Sequence, residues 1–205
     1  MVGMNPTERE KKMINRAFDP AEGRKSLSQL ARMYKTTKLD PAFQRLGGVR
    51  NGSGWSIDHS NEYLQDLYSG FVSNTVILIH VADCLKYAEE QNDKESITYY
   101  QNASGEGYEY ISVDGNNSTS TIYEFVNGHP ELKINKCLLS QLPPDDMEDW
   151  LSDEKLNVAV LRRISIKDAC DLFRKVNKQT KLNDQEHRQA RWSELSMFIR
   201  NIANS

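Results

Sequence analysis

Residues 109–128, EYISVDGNNSTSTIYEFVNG, constrain the fold more than any other part of the chain. Tyr110, Ile111 and Val113 carry the aromatic and β-branched signal of a buried strand. Asp114 and Gly115 break it, and six polar residues follow at 116–121. Ile122, Phe125 and Val126 then recur at helical spacing, and Gly128 stands where a C-terminal glycine cap belongs. The stretch predicts a strand, a tight turn and a helix. A helix N-terminus offers backbone N–H groups and the positive end of its dipole, so it suits a phosphate. Asp114 beside it can hold a divalent metal or orient a hydroxyl. Asp-Gly is also a common turn dipeptide, so Asp114, Asn116 and Asn117 have a structural reading as well. Thr119 and Ser120 have one as helix caps.

At 205 residues, one domain over 1–205 is the default. No apolar run approaches the length of a membrane span. The opening MVGMNPTEREKK lacks an apolar signal region. Cys84, Cys137 and Cys170 form an odd set without CxxC spacing, which reads as three reduced core thiols in a cytoplasmic protein. His59, His80, His129 and His187 show no HxH or HxxxH spacing, which argues against a zinc site. The net charge of −3 hides an asymmetry. Residues 1–50 hold 11 Lys/Arg against 5 Asp/Glu, residues 101–160 hold 3 against 11, and residues 161–205 hold 10 against 5. Two basic ends folded side by side make a face for a polyanion; apart, they are solvated helix surface.

Along the chain, Asn5 and Pro6 open a helix to about Ala17, and Ser26 caps a second with Leu27, Leu30, Ala31 and Tyr34 on one face. A short strand is expected at 39–43 and a glycine-rich loop at 46–55, beside the site. Then come a helix at 61–69 capped by Gly70, a buried strand at 75–80 and a helix at 82–91. Residues 97–100 and 108–113 read as two strands joined by the turn-rich QNASGEG. A short strand at 132–135, an acidic helical turn from Pro143 to Leu151 and a strand at 156–164 follow. Ser165 with Asp168 and Asn183 with Glu186 are capping boxes. The first opens a helix through Val176. The second opens a helical segment over about 183–205, with Trp192, Leu195, Phe198 and Ile199 as an apolar stripe. That stripe packs on the domain's own core or forms an interface with a protein partner or a second copy.

The segment VDGNNSTSTIYEFVNG resembles the Asp-Gly-Gln-Gln-Arg motif and following helix of the ParB/sulfiredoxin-like fold, as found in the N-terminal domain of GmrSD-type restriction enzymes. SLSQLARMYKTTKLDPAFQR, residues 26–45, resembles that family's opening helix and strand. FRKVNKQTKLNDQEHRQAR, residues 173–191, resembles a later segment. Together they span roughly residues 26–191. Asn116 and Asn117 stand where the family has two glutamines, with the same hydrogen-bonding groups on shorter side chains. Ser118 stands where it has arginine, and a serine offers neither charge nor a planar fork of donors.

The resemblance implies an α/β or α+β domain, a small mixed sheet flanked by helices. It implies a DNA-associated, nucleotide-binding domain of nuclease type: a metal-dependent NTPase or endonuclease acting with Mg2+ and a nucleoside triphosphate, on DNA, without a membrane. Asp114, Asn117 and Arg45 would be catalytic, with Asp114 also the metal ligand. Gln44, Gly115, Asn116, Ser118, Thr119, Asn177 and Arg188 would bind nucleotide or phosphate. The lost arginine at Ser118 favours an alternative: a non-catalytic, nucleotide-gated or partner-binding module.

Overall fold

Alternation within two strands decides the architecture. In the computed structural model, residues 18–19, 23–43, 54–71 and 75–176 are described. Among them the order is β1 (Phe18–Asp19), β2 (Arg24–Ser26), α1 (Leu27–Lys35), β3 (Thr37–Lys38), a 3-10 turn (Pro41–Phe43), α2 (Ile57–Tyr68), β4 (Thr75–His80), α3 (Val81–Glu90), α4 (Lys94–Gly105), β5 (Tyr110–Asp114), α5 (Asn116–Val126), a second 3-10 turn (Leu139–Gln141), α6 (Pro144–Ser152), β6 (Glu154–Leu161) and α7 (Ile166–Val176).

The strands form one mixed sheet in which β6, β4, β5 and β3 are successive neighbours. β4 runs parallel to β6 and antiparallel to β5, and β5 runs parallel to β3. β1 and β2 both pair antiparallel with β6, on the edge away from β4. Side chains alternate across a strand, and here both faces are buried. Val76 and Leu78 of β4, with Leu156, Val158 and Val160 of β6, pack on Leu27, Leu30, Leu64, Ile122, Phe125 and Trp150. Ile77, Ile79 and Leu161 point the other way, onto Val81, Cys84, Tyr100, Ala169 and Phe173. Helices α1, α2, α5 and α6 therefore cover one face, and α3, α4 and α7 the other. Each fully buried aliphatic side chain contributes about 1.5–3 kcal/mol relative to exposure. The two interfaces, rather than helix propensity, hold the layers. The expected α/β class with a small mixed sheet is what the chain adopts.

Local signals behave as read at several places. Ser26 and Gln29 form a reciprocal capping box at α1. Gly128 ends α5 at φ 82°, with the His129 N–H on the Glu124 carbonyl and the Gly128 N–H on that of Phe125, each at 3.0 Å. Ser165 accepts from the Asp168 N–H at 3.1 Å to start α7.

Four expectations are corrected. Residues 97–100 are not a strand: they lie inside α4, and the supposed turn QNASGEG is largely that helix's last turns. The strand expected at 39–43 is displaced to Thr37–Lys38, because Asp40 folds back to take the Ala42 N–H at 2.8 Å and starts a 3-10 turn. Residues 132–135 make only an isolated bridge, Ile134 with Cys137. The strand read to 164 stops at Leu161. The helices expected over 5–17 and 183–205 lie outside the described residues. No helix among the described residues is long and apolar enough to cross a membrane.

Candidate functional site

The elbow between β5 and α5 forms as the sequence predicts, and its shape follows from two residues. Gly115 adopts φ 86°, a left-handed conformation that turns the chain from strand to helix. A Cβ there would stand 3.0 Å from Val76 Cγ2 and 3.1 Å from Val76 Cα, so the position is closed to larger residues on steric grounds too. Asp114 folds its carboxylate onto the turn, and Oδ1 accepts the Gly115 N–H at 2.9 Å. As the N-cap of α5, Gly115 has no side chain to cap it, and no side-chain cap forms. The elbow thus offers a half-buried carboxylate, a backbone without a Cβ and a helix start whose first turn carries no acid.

A second helix start lies against it. The Thr121 hydroxyl donates to Ser60 Oγ at 3.3 Å, and a Cβ on Gly54 would fall 3.0 Å from Asn117 Oδ1. These contacts run in the same direction along both chains, so α2 and α5 pack with their N-terminal ends together. Both ends carry partial positive charge. Asp58 in the first turn of α2 and Asp114 beside α5 are the acids placed to offset it. Trp55, next to Gly54, packs its ring on His59 and Tyr63 at centroid distances of 4.6 and 5.1 Å.

The polar run after the elbow does a different job from the one its composition indicates. Ser118 is 3% exposed and Thr119 6%, and Ser120 and Thr121 are buried as well. Thr119 donates to the carbonyls of Gly115 (3.0 Å) and Asn116 (3.1 Å), and Ser120 to that of Asn117 (3.1 Å). These small hydroxyls bond back into their own helix. That bonding satisfies them inside the face that meets α1 and α2. Tyr34 of α1 sits there with its ring 5.0 Å from Tyr123. Burial pushes its phenol above the ordinary value and Glu124 adds to this, while the Ser120 hydroxyl acts the other way.

Of the residues singled out by sequence, the structure brings Asp114, Gly115, Asn116 and Asn117 to one turn. It turns Ser118 and Thr119 inward. Gln44, Arg45, Asn177 and Arg188 lie outside the described residues. β3 runs parallel to β5 and leads into the turn at Pro41–Phe43. Gly54, Trp55 and Val76 were not picked out individually by sequence. The glycine-rich stretch around Gly54 was the available signal for a loop beside the site.

Among the described residues, no three His, Cys, Asp or Glu side chains gather as a self-sufficient metal site. A single protein carboxylate suits magnesium only where ligand phosphate oxygens and waters complete the shell.

A separate charged group lies at the carboxyl ends of β4 and β6. His80 Nδ1 caps α3 by accepting the Asp83 N–H at 3.3 Å and stands 2.9 Å from Asp83 Oδ2. Arg162 pairs with the same carboxylate oxygen. Burial pushes that carboxyl up, but Arg162 outweighs it and the group lies below its ordinary value.

Comparison with family models, with curated proteins and with solved structures finds no match to this chain.

Proposed function

We propose that this chain is a DNA-associated, nucleotide-binding domain of nuclease type whose phosphate seat is the β5–α5 elbow. One observation carries the reading: the uncapped start of α5, with a left-handed glycine and a half-buried aspartate, lies beside the start of α2. The α5 start, with no side-chain cap, favours an anionic occupant, whereas the α2 start beside it is capped by Ser56 and carries Asp58. The three sequence segments that resemble the ParB/GmrSD-type N-terminal domain support the same reading. In it, Asp114 and Asn117 orient phosphate oxygens, Gly115 lets the ligand approach a backbone without a Cβ, and the first turn of α5 from Asn116 offers backbone N–H groups. The resemblance would add Arg45, Gln44, Asn177 and Arg188, which lie outside the described residues, as further polar groups. When bound with the nucleotide, magnesium would supply Lewis-acid polarisation of a phosphate oxygen. The proposed partners are a nucleoside triphosphate and DNA, in the cytoplasm.

A second reading, a non-catalytic nucleotide-gated or partner-binding module, is favoured by Ser118. The residue at the place of the family's arginine is buried, so no cation projects into the elbow from there.

Calorimetric titration with nucleoside triphosphates, with and without magnesium, tests the site. Binding is expected to need Asp114: Asp114→Ala should lose at least tenfold in affinity while keeping the wild-type circular dichroism spectrum. Equal affinity in the variant removes the elbow as the seat. Nucleotide bound without turnover selects the second reading.

A further inference from the structure

We draw no further inference here: the strongest candidate, the His80–Asp83–Arg162 cluster at the carboxyl ends of β4 and β6, carries nothing because the imidazole nitrogen that faces the carboxylate already caps α3, the carboxylate is shared with the arginine, and nothing beside it points to a ligand.

Discussion

At the scale of single residues, Gly115 and Ser118 set what the elbow tolerates. A left-handed non-glycine residue costs about 1–3 kcal/mol, and at Gly115 the added methyl also meets Val76 backbone. Gly115→Ala is expected to lower the unfolding free energy by at least that amount, read as a lower urea midpoint at unchanged slope. A wild-type midpoint would mean that the turn relaxes without strain. Ser118→Arg would place arginine where the resembled motif has it, but the side chain starts from a buried position in the first turn of α5. Overpacking alone costs about 1–3 kcal/mol, and desolvating the guanidinium adds to it. The variant should therefore be less stable than wild type by equilibrium denaturation. If it folds with undiminished stability and binds nucleotide more tightly, residue 118 reaches the elbow's open side, and the family motif carries over intact.

At the scale of elements, amides do work that strands do elsewhere. Asn61 of α2 donates to the Glu131 carbonyl at 3.1 Å and accepts the Lys133 N–H at 2.8 Å; one turn later Gln65 accepts the Asn135 N–H at 2.9 Å. Two side chains at helical spacing thus hold an irregular segment whose own pairing is one bridge, Ile134 with Cys137. Asn61→Ala is expected to cost about 1 kcal/mol and to speed hydrogen exchange at the Lys133 amide. Unchanged protection there would show that other contacts hold the segment. This arrangement was not legible in sequence, because a polar helix face looks the same whether it meets water or a backbone. Strand β4 was legible to the residue, since TVILIH is a short apolar run long enough for a strand and too short for a helix. The elbow was legible because turn chemistry is local. Helix α4 was misread because Thr98, Tyr99 and Tyr100 carry strand propensity. Burial of Ser96, Tyr100 and Ala103 along one side follows the helical period, and Asp93 caps the Ser96 N–H at 3.2 Å. Tertiary packing overrode propensity, as it often does for short apolar runs. The inward turn of Ser118–Thr121 was hidden for a related reason: small hydroxyls suit a ligand site and a tight helix contact equally well.

At the scale of the whole molecule, the two faces of the sheet should open together. Cys84 and Cys170 lie in the core under α3 and α7, whereas Cys137 is half-buried in its bridge. Burial pushes the Cys84 thiol up to about 12, and only the thiolate reacts with disulfide reagents. At pH 8 one thiol, Cys137, is expected to label promptly, and Cys84 and Cys170 at the rate of global unfolding. Denaturant should expose all three at once. Prompt labelling of Cys84 in native buffer would mean that the α3 face opens on its own. Charge enters at this scale only through salt. If DNA binds, each phosphate neutralised releases counterions, so the chain's net −3 leaves affinity to local basic surface and makes it fall steeply with ionic strength.

The pairing of β6 has a consequence for how the chain is made. Its partners are β4 on one edge and, on the other, strands at residues 18–26. A ribosome delivers β6 after all of them. Until residue 161 emerges, β4 has only its β5 edge paired, and the earliest strands have no partner at all. The sheet therefore closes over long sequence separations, which slows folding. Between the completion of β4 at His80 and that of β6 at Leu161, a nascent chain presents an open, apolar strand edge, the condition under which holding chaperones matter most.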